Sequence, residues 1–97
     1  MNVINVTMVR IYITEGEKLL KPLVDYLKNE VRGVSVFRAI SGFGDTGTHT
    51  ASLLDLSLNL PLVVEFFDHA EKVKAVLTQV LRMVKPEHLV FWEAQTA

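Results

Sequence analysis

The chain has 97 residues, enough for one domain and one hydrophobic core. It is 49% hydrophobic and 22% charged with a net charge of −1, and its pI is about 6.3. This balance argues against the basic footprint of a nucleic-acid-binding protein. Cysteine is absent, which excludes a disulfide framework and a thiolate metal site, and no run of about twenty uncharged apolar residues reads as a membrane span.

The mean hydropathy of +0.29 is high for a domain of this size. Large exposed apolar patches are uncommon on soluble monomers, so another copy of the chain is expected to cover part of the surface. Met1 to Val9 is apolar but lacks a basic leader and a small-residue cleavage site. The cytoplasm is therefore the expected location.

Val3 to Ile13 reads as the first strand, with Val9, Ile11 and Ile13 alternating with Arg10 and Tyr12. Arg10 in mid-strand is either a solvated charge or a paired charge at a subunit interface. Thr14-Glu15-Gly16-Glu17 spells a capping box. Pro22 conflicts with a helix starting there, because it would lie inside and remove a hydrogen bond. Proline suits the first helical position. The expected helix thus runs from Pro22 to Val31, behind a loop or single turn at 15–20, and Gly33 ends it. Leu20, Leu23, Val24, Leu27 and Val31 form its apolar stripe.

Val34 to Ile40 is the second expected strand, interrupted by Arg38. Ser41 to Thr50 then carries three of the five glycines, which suggests a shaped loop or an anion-binding nest. Gly42-Phe43-Gly44-Asp45-Thr46-Gly47 matches G-x-G-x-x-G. The dinucleotide mechanism needs the last glycine to open a helix, whereas a strand-like pattern follows here. No Lys-Ser or Lys-Thr follows either, so a phosphate loop fails too. Leu54, Leu56, Leu58 and Leu60 alternate with Asp55, Ser57 and Asn59, which predicts an extra strand or arm over 51–60. After Pro61, Leu62 to Phe67 is the third core strand, with Glu65 inside it. Asp68-His69-Ala70-Glu71 is a second capping box. Val73, Val76, Leu77, Val80, Leu81 and Val84 recur at helical spacing, Lys85-Pro86 stops that helix, and Leu89 to Ala94 is the last strand.

The order strand, helix, strand, strand, helix, strand is an α+β, ferredoxin-like βαββαβ arrangement. It predicts a four-stranded antiparallel sheet with both helices on one face. The other face is left open and is the natural surface for oligomerisation.

The candidate chemistry is sparse. His49, His69 and His88 lie in different elements with no metal-ligand spacing, so no metal is expected. His49, in the glycine segment, is the one histidine placed for ligand contact, a loop hydrogen bond being its alternative. Asp45 reads as a turn residue. No nucleophile elbow or catalytic carboxylate pair is present, so neither an enzyme nor a cofactor is expected. Glu65 can form an ion network with Arg10 and Arg38. Such networks add little stability, and its expected use is to set subunit register.

Four segments carry a resemblance. Arg10-Ile11-Tyr12-Ile13, Arg38-Ala39-Ile40-Ser41-Gly42-Phe43-Gly44, His49-Thr50-Ala51, and Leu60-Pro61-Leu62-Val63-Val64-Glu65 with Asp68 resemble the PII-like domain-of-unknown-function family, within the nitrogen-regulatory PII-like superfamily. The similarity runs over about residues 8 to 95. Gly-Phe-Gly followed by His-Thr is similar to the base of the long T-loop of true PII signalling proteins. The resemblance implies a ferredoxin-like fold and a homotrimer with its sheets facing inward. It also implies ligands bound in clefts between subunits, which in true PII proteins are adenine nucleotides near the Gly-Phe-Gly segment. On this reading Arg38, Gly42, Phe43, Gly44, His49 and Thr50 are ligand-binding residues, and Arg10 and Glu65 are interface residues. The implied function is that of a regulatory trimer. It would sense a small anionic ligand, such as an adenine nucleotide, and contact a membrane transporter or an enzyme through the 42–60 arm.

The chain departs from that pattern in three places. Only Lys85-Pro86-Glu87-His88 separates the second helix from the last strand, where true PII proteins have a basic, glycine-rich loop that grips phosphates. ATP binding in the usual manner is therefore not supported. The segment from Asp45 to Asn59 contains no tyrosine, so uridylylation is not supported. Ala39 stands where the family more often has glycine. Other readings of the same fold are a ligand-free structural or protein-binding trimer, and a small enzyme of the heme-degrading or muconolactone-isomerase type. A divalent-cation-tolerance-type trimer shares the topology, but the segment from Gly-Phe-Gly to His-Thr sets this chain apart from it.

Overall fold

A computed structural model describes residues 2–13, 17–44, 47–50 and 61–97, giving the backbone alone for residues 17, 41–44 and 47–50. The strands are β1 (Ile4–Ile13), β2 (Val34–Arg38), β3 (Ser41–Gly44), β4 (Gly47–Thr50), β5 (Leu62–Asp68) and β6 (Leu89–Thr96). The helices are α1 (Glu17–Lys28) and α2 (Ala70–Val80), with a 3-10 turn at Pro86–His88. Four strands make one antiparallel sheet in the order β2-β5-β1-β6. The ferredoxin-like α+β expectation holds.

Register assigns the two faces. Val9 lies opposite Phe66, Ile11 opposite Val64, and Ile13 opposite Leu62, and side chains of opposed residues project from the same face. These residues join Leu23 and Leu27 of α1 and Val73, Val76 and Val80 of α2 in a single buried cluster. Both helices therefore cover one face. Each fully buried aliphatic side chain there contributes about 1.5–3 kcal/mol of transfer free energy.

Helix α1 corrects the sequence reading. It begins at Glu17 rather than Pro22, and Pro22 lies inside it. Leu23 and Leu27 are fully buried, and Leu19 and Leu20 pack against the core. That burial outweighs the one hydrogen bond Pro22 removes, and Pro22 itself is exposed to solvent. The helix stops at Lys28, not at Gly33. Its last turn is closed by the amides of Glu30 and Val31, which donate to the Leu27 carbonyl at 3.0 and 2.9 Å. Gly33 has a φ outside the left-handed range, so it is not the glycine cap the sequence suggested.

Helix α2 also starts one residue later than its capping box implied. Asp68 is still part of β5, paired with Thr7, so it cannot be the N-cap. His69 takes that position without a side-chain cap bond, while Asp68 Oδ1 accepts the His69 amide at 2.8 Å. Beyond Val80, the amides of Met83 and Val84 both donate to the Val80 carbonyl, and this keeps Val84 in the core. Strand β6 runs to Thr96, two residues past the expected end, because its pairing with β1 continues to Ile4.

Candidate functional site

Two features stand apart from the core: the excursion between β2 and β5, and the sheet face without helices. β2 ends at Arg38, paired with Leu62 of β5, and not at Ile40 as the sequence suggested. The Ala39 amide then donates to the Pro61 carbonyl at 2.9 Å. Residues 40–60 therefore leave and re-enter the fold at adjacent points.

Within the excursion, β3 and β4 form a two-stranded antiparallel hairpin. Ser41 is opposite Thr50, Gly42 opposite His49, Phe43 opposite Thr48, and Gly44 opposite Gly47. The hairpin brings together Gly42, Phe43, Gly44, His49 and Thr50, five of the six residues expected to contact ligand. It also replaces the nest. A nest needs successive amides turned inward by alternating backbone conformations, whereas 41–44 and 47–50 are extended. Gly44 is paired with Gly47; Asp45 and Thr46 between them lie outside the described residues, as does the arm expected over 51–60.

Arg38, the sixth expected ligand residue, is half-buried at the stem. Its pairing with buried Leu62 puts it on the helix side of the sheet. Glu65 is on the other side, opposite Arg10 on one neighbour and Ser35 on the other. Arg38 is therefore not part of a network with Glu65, a correction that follows from strand register.

Arg10 and Glu65 themselves do pair. Arg10 donates from Nε to Glu65 Oε2 at 2.8 Å, and Nη2 lies 2.7 Å from the same oxygen. The Arg10 guanidinium also sits 5.2 Å from the centre of the Trp92 ring, within cation–π range. Hydrogen bonding to Glu65, and then to Tyr12, holds the Arg10 pKa above its ordinary value.

Around this pair the open face is apolar. Tyr12 is 40% exposed, Phe37 52%, Phe67 41%, Val90 44% and Trp92 38%. The sequence reading singled out none of these as functional. Their signal was available in the alternation of each strand around Arg10 and Glu65. A groove of about 580 Å³ opens at one end of the face, lined by Ile4, Met8, Arg32, Glu65, Phe67 and Thr96 among others. It lies at the opposite end of the sheet from the excursion's stem, so it does not gather the expected ligand residues. Among the described residues, no three His, Cys, Asp or Glu side chains cluster to hold a metal, and no helix is long and apolar enough to cross a membrane.

A four-stranded sheet with helices on one face and a hairpin excursion after its second strand defines a protein of ferredoxin-like fold. Residues 6–96 match the DUF190 family, described as "Uncharacterized ACR", and the chain belongs to that family. It is 30% identical over 93 residues to a UPF0166 protein of Methanocaldococcus jannaschii, covering 90% of this chain and 86% of that one. It is 36% identical over 87 residues to a UPF0166 protein of Aquifex aeolicus, covering 82% and 83%. Its fold is similar to CPII from Thiomonas intermedia K12, solved bound to ADP and bicarbonate, with a TM-score of 0.74 and 17% identity over 98% of this chain and 91% of that one.

Proposed function

We propose that this protein is a PII-like regulatory homotrimer, not an enzyme, that binds a small anionic ligand in clefts between its subunits. Adenine nucleotides are the first candidates. The β3–β4 hairpin with Gly42, Phe43, Gly44, His49 and Thr50 lines the ligand, and Arg38 at the stem supplies positive charge. The 42–60 arm contacts a membrane transporter or an enzyme. Arg10 and Glu65 belong to the subunit interface.

The observation that carries this reading is the uncovered sheet face, with five large apolar side chains exposed around one internally neutralised ion pair. Such a face fits burial against another surface rather than contact with water. The likeness in fold to CPII, solved with ADP and bicarbonate and also with AMP, supports the choice of ligand. The link from α2 to β6 is the eight residues 81–88, which end in the short turn at Pro86–His88 and contain no glycine. Mono- and diphosphates are therefore favoured over ATP.

Titration calorimetry of the purified protein with ATP, ADP, AMP, cyclic nucleotides and bicarbonate tests the ligand. Saturable binding that Arg38→Ala weakens supports the reading, and silence toward all of them removes it. The extended, mutually paired β3 and β4 favour a second reading, a ligand-free structural or protein-binding trimer, and the same titration separates the two.

A further inference from the structure

We infer that the seam between copies is built from Phe37 of one chain packed on Val90 and Trp92 of the next. This rests on the proposed threefold assembly and specifies how the open faces meet. Copies related by a threefold axis touch through unlike patches, because only a twofold axis places a patch against itself. For a sheet whose open face turns toward such an axis, the two unlike patches are its two edges. Here the edges are β2 and β6.

Register shows what each edge offers. On β2, Val34 and Val36 lie opposite the buried Phe66 and Val64, on the helix side. That leaves Ser35 and Phe37 on the open face, and Phe37 is the most exposed of the large side chains there, at 52%. On β6, Val90 lies opposite Arg10 and Trp92 opposite Met8, so both share the open face. One edge thus presents a single aromatic knob, and the other a two-residue apolar platform backed by the Arg10 guanidinium. The occupant of the platform is a second copy of this chain, and charge favours it. The only charged side chains on the open face of the four strands are Arg10 and Glu65, and they already neutralise each other. An identical face therefore meets no like charge.

Geometry makes the contact testable. Within one chain, Phe37 and Val90 are separated by three strand spacings, about 14 Å, while a disulfide needs Cα atoms within about 7 Å. A bridge between these positions can form only between chains, and the chain has no cysteine of its own. The experiment is mild oxidation of the Phe37→Cys/Val90→Cys double variant with oxidised glutathione, followed by non-reducing electrophoresis and a thiol count. The expected product is a closed covalent trimer with no free thiol, and neither single variant should cross-link. A double variant of trimeric mass that forms no bridge overturns the seam while leaving the trimer standing. Disulfide dimers from Phe37→Cys alone overturn it in favour of like-to-like contact. A monomeric wild type removes the threefold reading itself. Should the double variant fail to fold, Phe37→Ala offers a second test. Trp92 is the sole tryptophan and lies too far from Phe37 in its own chain to sense the change. Its emission should shift red in the assembled variant, and an unchanged spectrum overturns the seam.

Discussion

Arg10 and Glu65 face each other across β1 and β5 at 2.7–2.8 Å. Their side chains are 39% and 21% exposed in the single chain, so in isolation the pair is screened and adds little. Covering the face changes its role, because a buried charge that loses its partner is costly. Glu65→Gln should therefore leave the fold of one chain intact and weaken assembly on the order of tenfold or more. Sedimentation over a concentration series reads this, and an unchanged oligomer would count against the interface role. The raised Arg10 pKa fixes the sign of its pH dependence. A cation whose folded pKa lies above its unfolded value contributes fully below the latter and is lost only as pH rises through the former. For Arg10 that window lies above its already high ordinary value, so its contribution should be flat between about pH 6 and 9.

Which residues the sequence revealed follows from strand geometry. Arg10 and Glu65 could be picked out because a charge inside an alternating apolar strand is conspicuous, and both lie on strands whose phase is plain. Arg38 looked equivalent, yet it falls on the helix side. Its face is set by the pairing of Arg38 with Leu62, a long-range fact that local alternation does not contain. Phe37 and Trp92 were passed over because an aromatic in a strand is equally at home in a core.

Among the elements, α2 could be read directly because its valines recur over many turns, a pattern that only a helix buries. Helix α1 could not, because a local rule about proline competed with burial, and burial prevailed. This has a measurable consequence. Pro22 occupies an exposed helix-interior position, so Pro22→Ala should restore one backbone bond and stabilise the domain by about 1–3 kcal/mol in denaturant unfolding. Loss of stability would mean that the helix needs the proline to start. Gly33 makes the opposite point. A Cβ added there meets nothing within 4 Å, and its φ is outside the left-handed range. Gly33→Ala should thus be neutral or stabilising by about 0.4–1 kcal/mol. A clear drop in melting temperature would restore the capping role. Leu27→Ala, at a fully buried position, should cost about 2–5 kcal/mol. The β3–β4 hairpin was hidden because three glycines in six residues are as compatible with a nest as with a tight strand connection.

For the molecule as a whole, the apolar excess in the composition and the aromatic residues on the open face describe the same surface. The helices bury the central strands on one side of the sheet, while Tyr12, Phe37, Phe67, Val90 and Trp92 remain exposed on the other. The proposed regulatory trimer, with its ligand between subunits, needs that side covered by its own copies, and such closure would bring the hairpin stem of each chain near a neighbour. Every functional proposal made for this chain depends on that closure. Sedimentation velocity of the purified wild-type chain at micromolar concentration measures it most directly. The prediction is a single species of three times the 10.9 kDa chain mass. A stable 10.9 kDa monomer would contradict it.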